Sequence, residues 1–193
     1  MKVRPILFIA PMVRALLSGT KSQTRRMVKP QPNEAWCTPP VEVVNGRWVS
    51  HGCVSDFKCP YGSPGEQLWV RETWAPECCM EPGVPVYAAD YASPRGVTTW
   101  KPSIHMPRAV SRITLRITDV RVERLQDISN NDADAEGTSD LRTIENGWDM
   151  SRCYQELWEA INGAGSWEAN PWVWVLEFEV IKRNVDAYIK AVA

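Results

Sequence analysis

The sequence contains no apolar run of about 18 residues, the length that a membrane-spanning helix requires. Its first apolar stretch, residues 6–10, is interrupted by Pro11 and is too short for the core of a secretion signal. A glycine-rich phosphate loop, an alternation of strands with helices and an internal repeat are also absent. These absences argue against a membrane protein and a parallel α/β fold, and they predict a cytoplasmic protein without a membrane partner.

Paired Cys-x-x-Cys spacings are absent as well, although the chain has six cysteines. Reduced thiols are expected in a protein without a secretion signal. Cys37, His51, Cys53 and Cys59 fall in one loop-rich region and could together hold a zinc ion. The missing paired spacing argues against that site. We therefore predict no metal and no cofactor, with zinc as the alternative.

Acidic residues are absent before Glu34, whereas residues 1–33 carry seven lysines or arginines. A second basic region, residues 95–124, is followed by the acidic segment 125–149. The net charge of the whole chain is only −1, so bulk electrostatics do not favour a polyanionic partner. Either the basic regions bind nucleic acid locally, or basic and acidic segments pair within the fold.

The hydrophobic patterns predict an α+β protein with a small mixed β-barrel flanked by short helices. The predicted strands are residues 3–10, 68–74, 84–88, 111–122 with a change of face near 118–119, and 172–180, with a hairpin over 41–50. The first predicted helix covers residues 12–17, with Pro11 marking its start and Gly19 its end. The second covers 129–136 and begins at Ser129. The third covers 151–162 and carries an apolar stripe, which comprises Cys153, Tyr154, Leu157, Trp158 and Ile161. We expect one domain over residues 1–183, with loop-rich insertions at about 30–66 and 75–100 and a partly helical tail over 184–193.

Glu72 interrupts the apolar pattern of the strand predicted over residues 68–74. Alternation places Leu68, Val70 and Trp74 on its face, which should therefore be buried. A buried carboxylate is costly unless it is paired. Glu72 could form a salt bridge to Lys21 or an arginine, could act as a general acid or base with a raised pKa, or could end the strand with its side chain in solvent.

The residues Gly19, Lys21, Thr24 and Arg26 fit the spacing G-x-K-x-x-T-x-R, which resembles the signature of the ASCH domain superfamily. Other segments resemble the prophage-type branch of that superfamily: Arg-Pro-Ile-Leu-Phe at 4–8, Cys-Pro-Tyr-Gly at 59–62, Leu-Trp-Val-Arg-Glu-Thr-Trp at 68–74, His-Met-Pro-Arg at 105–108 and Asn-Pro-Trp-Val-Trp at 170–174. The resemblance implies a PUA-like β-barrel with a cleft for RNA or a nucleobase, lined by the signature residues.

Small bacterial proteins that are similar to this chain are amidohydrolases that act on 4-acetylcytidine, with a lysine, a threonine and a glutamate as the proposed catalytic set. The resemblance implies Lys21, Thr24 and Glu72 for these roles. Thr24 would be the nucleophile, and Lys21 its base if burial and the neighbouring arginines lower the pKa of Lys21. Glu72 would orient Lys21 or pass a proton to the leaving amine, and Arg26 or Arg108 would stabilise the oxyanion.

Two other functions remain open from the sequence. The first is a non-catalytic RNA- or nucleotide-binding module, in which cations contact phosphate and tryptophans stack on bases. The residues predicted to contact RNA or substrate are Arg25, Arg26, Arg71, Trp74, Trp100, His105 and Arg108, although a histidine at position 105 also has a purely structural interpretation. The second is a phage accessory or regulatory protein that binds another protein through its acidic segment 125–149 or its tryptophans. No oligomeric state is predicted.

Overall fold

A computed structural model describes residues 3–32, 42–44, 47–50, 53–77, 83–91, 97, 99–138 and 149–192, with side chains described outside 42–57. The strands are β1 Arg4–Leu7, β2 Gln23–Met27, β3 Glu42–Val44, β4 Arg47–Ser50, β5 Cys53–Lys58, β6 Gln67–Arg71, β7 Trp74–Ala75, β8 Val86–Tyr87, β9 Thr114–Arg124 and β10 Trp172–Ile181. The α-helices are α1 Ala10–Ser18, α2 Asn130–Ala135, α3 Met150–Asn162 and α4 Val185–Val192. The predicted mixed α+β composition is confirmed.

The main sheet has five strands in the order β1-β6-β9-β10-β2. The pair β1–β6 is parallel, whereas β6–β9 and β10–β2 are antiparallel. Among the described residues, β1 and β2 are the two ends of this order, so the sheet is open and the predicted barrel is not confirmed. The predicted hairpin is confirmed by the antiparallel pair β3–β4, to which β5 adds a third strand.

The chain forms two compact units. Unit 1 comprises Met1–Gly19, Glu66–Arg116 and Glu179–Ala193, and unit 2 comprises Thr20–Gly65 and Ile117–Phe178. The assignment of residues 1–183 to one domain with insertions stays a prediction. No helix in the described part of the chain is both long and apolar enough to cross a membrane.

Unit 1 contains α1, β1, β6 and the C-terminal tail. Pro11 lies in the first turn of α1, and Gly19 follows its last turn with a left-handed φ of 85°, so both predicted boundary signals of this helix are confirmed. The tail is helical, as predicted, and forms α4. Asn184, just before α4, donates hydrogen bonds to the carbonyl oxygens of Arg108 and Ser111, which ties the tail to the loop before β9.

In unit 2, α2 begins with a complete capping box. The hydroxyl of Ser129 accepts from the backbone N–H of Asp132, whose carboxylate accepts from the backbone N–H of Ser129. On β9, Ile117 and Val120 are both buried although they differ in parity. The predicted change of face on this strand is therefore confirmed.

The core of unit 2 lies between α3 and β10. Tyr154 and Trp158 of α3 pack in one buried cluster with Val173 and Val175 of β10. The apolar stripe predicted for this helix is therefore confirmed over its first three turns. At its end the prediction is wrong, because Ile161 in the last turn is 53% exposed.

Candidate functional site

The centre of the site is a buried ion pair between Lys21 and Glu136 in unit 2. The backbones of these residues form an isolated antiparallel bridge, and the N–H of Ser22 donates to the carbonyl oxygen of Ala135 at 2.9 Å. The Nζ of Lys21 then donates to the carbonyl oxygen of Glu136 at 2.7 Å and to its carboxylate Oε2 at 2.8 Å. The two side chains are 2% and 3% exposed. Water is therefore almost excluded from this contact.

The environment of Lys21 shifts its protonation equilibrium. Burial is the largest cause and lowers the pKa of Lys21, because the charged form loses its hydration. The hydrogen bond and the charge of Glu136 oppose this shift, while the charges of Arg26 and Arg25 add to it. The net pKa of Lys21 is lowered, which is the condition under which Lys21 could act as a base. A larger fraction of Lys21 is therefore a neutral amine at a given pH.

Arg25 holds the other side of the Glu136 carboxylate. Its Nη1 lies 3.3 Å from Oε1 of Glu136 and donates to Oε1 of Gln23 at 2.7 Å, while Nη2 donates to Oε2 of Glu123 at 3.0 Å. Its guanidinium also lies 5.9 Å from the ring centroid of Tyr154. The side chain is 0% exposed. The predicted contact of Arg25 with RNA is not supported by this placement, because the guanidinium has no exposed surface.

Further carboxylates surround this centre. Asp132 of α2 accepts from Gln23 and from Arg121, at 3.0 Å each. Arg121 also donates to Glu123 and to Glu177. Two acidic residues of the segment 125–149 thus pair with basic residues. Glu136 pairs with Lys21 and Arg25 of the first basic region, and Asp132 pairs with Arg25 and with Arg121 of the second. The interpretation that basic and acidic segments pair within the fold is confirmed for these residues.

Thr24 and Arg26 lie on β2 with parity opposite to Gln23 and Arg25. Thr24 is 1% exposed and pairs with Leu176 of β10. Arg26 is half-buried and donates from Nη1 to the carbonyl oxygen of Arg25 at 3.1 Å. Lys21, Thr24 and Arg26 of the signature therefore belong to one edge strand and the turn before it.

Tyr61 is a residue of this site that the sequence did not single out. It lies in the Cys-Pro-Tyr-Gly segment and is half-buried. Burial raises the pKa of its phenol, the charge of Arg26 lowers it, and Cys59 raises it. Arg26 thus acts electrostatically on both Tyr61 and Lys21. The resemblance of residues 59–62 to the prophage-type branch was the available signal.

Glu72 belongs to unit 1, and its partner is Arg112. The guanidinium donates to both carboxylate oxygens of Glu72, at 2.9 and 3.0 Å, and to both oxygens of Asp90, at 2.7 and 2.9 Å. It also stacks 4.0 Å from the ring centroid of Tyr87. Of the two predicted salt-bridge partners, an arginine is therefore confirmed, and the proposed pairing with Lys21 is wrong because Lys21 binds Glu136.

The other two interpretations of Glu72 have different outcomes. A solvated side chain is wrong, because β6 ends at Arg71 but Glu72 is 1% exposed. A raised pKa is confirmed in direction: burial raises the pKa of Glu72, and the hydrogen bonds and charge of Arg112 only partly oppose it. A catalytic role for Glu72 stays a prediction.

The remaining predicted contact residues all lie in unit 1. Arg71 donates to the carbonyl oxygens of Met106 and Ile104 and lies 5.2 Å from the ring centroid of Trp69, so it fixes the loop that carries His105. His105 is exposed and Trp100 is half-buried. Trp74 is buried, with the Lys101 ammonium 5.3 Å from its ring centroid, and Arg108 is paired with Asp186.

Among the described residues, no group of three or more histidine, cysteine, aspartate or glutamate side chains is arranged to hold a metal ion. Of the four residues of the zinc alternative, Cys37, His51 and the side chain of Cys53 lie outside the described residues. Cys59 is buried and is not part of a disulfide bond.

Glu136 is a second residue of the candidate site that the sequence did not reveal. It follows α2 and lies 115 positions from Lys21, and no spacing rule connects the two residues. Comparisons with protein-family models, curated proteins and solved structures gave no match. The geometry of the site and the sequence signature are therefore the features that bear on function.

Proposed function

We propose that the protein hydrolyses the amide of an N-acylated nucleoside or nucleobase, with Thr24 and Lys21 as the reacting groups and Glu136 as the carboxylate that positions Lys21. The observation that carries this proposal is the buried Lys21–Glu136 pair at 2.8 Å. The pair supplies a lysine and a glutamate within unit 2, and Thr24 of β2 belongs to the same unit. In this proposal Glu136 takes the role that the resemblance implied for Glu72, and a PUA-like ASCH fold remains part of the proposal.

The chemistry follows from the lowered pKa of Lys21. A threonine hydroxyl is a weak nucleophile and needs a neighbouring base. The neutral amine of Lys21 would take the proton from Oγ of Thr24 as that oxygen attacks the acyl carbon. This step requires substrate binding to expose both side chains and to bring Lys21 to the face of β2 that carries Thr24, because the two residues are 2% and 1% exposed and Thr24 has the parity opposite to Arg25. The C–N bond then breaks, and the ammonium of Lys21 returns the proton to the leaving amine. Water, deprotonated by the same amine, finally hydrolyses the ester on Thr24.

Glu136 and Arg26 would support these steps without bonding to the acyl group. The carbonyl and carboxylate of Glu136 fix two donor directions of the Lys21 ammonium, which restrains its rotation. The half-buried guanidinium of Arg26 would stabilise the oxyanion that forms on the acyl oxygen. Its positive charge also disfavours the protonated form of Lys21 before the reaction.

A panel of N-acylated nucleosides that includes 4-acetylcytidine tests this proposal, with the enzyme in excess and the released nucleoside measured by chromatography. Thr24→Val and Lys21→Met should each lower the rate by about 10²-fold or more, since a positioned base contributes about 10²–10⁴-fold. Thr118→Val is the matched control, because Thr118 is an exposed threonine of unit 2. No turnover of the panel by the wild type, or an unchanged rate in Thr24→Val, would contradict the proposal.

A second candidate function, binding of single-stranded RNA, is favoured by the loop before β9 in unit 1. Lys101 and His105 are exposed there, and Trp100 next to them is half-buried. Such a surface would combine phosphate contacts with base stacking. RNA affinity should then fall steeply with salt and should weaken in Lys101→Gln, whereas a nucleoside pocket should respond little to salt. Affinity that is independent of salt would exclude this function.

A further inference from the structure

We propose that Arg25 is a positioning residue, which fixes the Glu136 carboxylate against Lys21 and thereby sets the pH at which the site becomes active. This inference rests on the proposed function. Lys21 occupies Oε2 of Glu136 at 2.8 Å, and Nη1 of Arg25 lies 3.3 Å from Oε1. One buried carboxylate is therefore shared by two cations, and its orientation depends on both.

The surroundings of Arg25 hold its guanidinium in one orientation. Gln23 accepts from Nη1 at 2.7 Å, Glu123 accepts from Nη2 at 3.0 Å, and the amide of Gln23 is itself held by Asp132. A planar guanidinium can bind two carboxylates in different directions at once, whereas a lysine ammonium is a compact charge on a flexible stem. The position therefore requires the shape of arginine as well as its charge.

Burial, aided by the charges of Arg26 and Arg25, lowers the pKa of Lys21 and makes it the group that loses a proton. The charged and titratable groups that act on it are Glu136 at the end of α2 and Arg25 and Arg26 of β2. Beyond them, the charges of Glu136 and both arginines act on the pKa of Tyr154 of α3. Glu123 of β9 and Asp132 of α2 pair with Arg25. Arginine does not deprotonate in proteins, so a rising pH removes the proton of Lys21.

The test compares pH–rate profiles of the wild type, Arg25→Gln, Arg25→Lys and Arg121→Gln on a substrate that the wild type hydrolyses. Arg25→Gln removes a positive charge that lowers the pKa of Lys21, so the rising limb of activity should move to higher pH. Arg25→Lys keeps the charge, so it should keep the midpoint and lower the maximal rate. Arg121→Gln is the matched control, because Arg121 shares Glu123 and Asp132 with Arg25. Among the described residues, the carboxylates that Arg121 pairs with are Asp119, Glu123, Asp132 and Glu177, and not Glu136.

A second measurement separates this inference from the proposed function. The protonation of Lys21 is followed by NMR of protein labelled with ¹⁵N-lysine, with the Lys21 signal assigned from Lys21→Arg. The midpoint should rise in Arg25→Gln and stay unchanged in Arg121→Gln, whether or not the enzyme turns over the substrate panel. An unchanged midpoint in a folded Arg25→Gln variant, or equal shifts in both variants, would overturn the role of Arg25. If Arg25→Gln does not fold, the pH–rate profile of Arg25→Lys is the test. A maximal rate equal to that of the wild type, or a shifted midpoint of the rising limb, would overturn the role of Arg25.

Discussion

Glu136→Gln is the substitution that most directly perturbs the buried pair. Glutamine has nearly the same shape, and its amide oxygen can still accept from Lys21, so the change removes a charge and little volume. Breaking a buried ion pair by removing one partner costs about 3–5 kcal/mol in typical proteins. Because hydrogen bonding is partly retained here, we expect a loss of about 2–3 kcal/mol in the free energy of unfolding at pH 7.

The loss should depend on pH in a defined direction. The pKa of Lys21 is lowered in the folded state, so the unfolded chain binds its proton more tightly. Stability from this group therefore rises with pH between the folded pKa and the ordinary lysine value of about 10.4. Glu136 is the group that raises the pKa of Lys21, so its loss lowers that pKa further and extends the window to lower pH. The slope within the window is about 1.4 kcal/mol per pH unit for one proton.

Urea unfolding of the wild type and Glu136→Gln at several pH values between 6 and 9.5 measures the loss in the free energy of unfolding and its dependence on pH. The difference in stability should shrink as the pH rises. Adding Lys21→Met should restore part of the stability, because the double variant buries no unpaired ammonium. A Glu136→Gln variant within about 0.5 kcal/mol of the wild type at pH 7 would refute the reasoning, since surface changes have effects of that size. So would a double variant less stable than Glu136→Gln.

Three further predictions concern other parts of the structure. The pKa of Glu72 is raised in the folded state, so its protonation stabilises the fold as the pH falls from that pKa towards about 4.3. Glu72→Gln should remove this pH dependence, and thermal unfolding between pH 4.5 and 7 measures it. The substitution should also weaken the interaction with Arg112, because the ion pair is lost. A pH dependence of stability equal to that of the wild type would contradict the burial of this carboxylate. Ser129→Ala should cost about 1 kcal/mol in urea unfolding, because the capping box of α2 is lost. Arg152→Gln should change the stability by less than about 0.5 kcal/mol, since its pair on the surface of α3 is exposed.

Features that depend on nearby residues could be predicted from the sequence. Gly19 marked the end of α1 because only a left-handed residue fits there, and Ser129 marked the start of α2 through its own side chain. The burial of Glu72 was also predictable, because strand alternation alone places it on an apolar face. In each case the relevant interaction lies within a few residues of the chain.

Features that depend on distant contacts could not be predicted. The partner of Lys21 lies 115 positions away, and that of Glu72 lies 40 positions away. From the sequence, a partner could therefore be chosen only because its charge was opposite. Glu72 was the carboxylate whose burial the pattern revealed, whereas Glu136 stands in an acidic stretch where it looks solvated. The burial of Arg25 was missed for the same reason: only the packing of α2 and α3 around β2 removes its guanidinium from solvent.

The most direct measurement is the hydrolysis rate of Glu136→Gln against that of Glu72→Gln, on one N-acylated nucleoside that the wild type cleaves. Both variants neutralise a buried carboxylate bound to a cation, so the comparison is matched in chemistry and burial. If Glu136 positions Lys21, the rate of Glu136→Gln should fall by about 10²-fold or more, and far below that of Glu72→Gln. A larger loss in Glu72→Gln would contradict the assignment of the site to Lys21, Thr24 and Glu136.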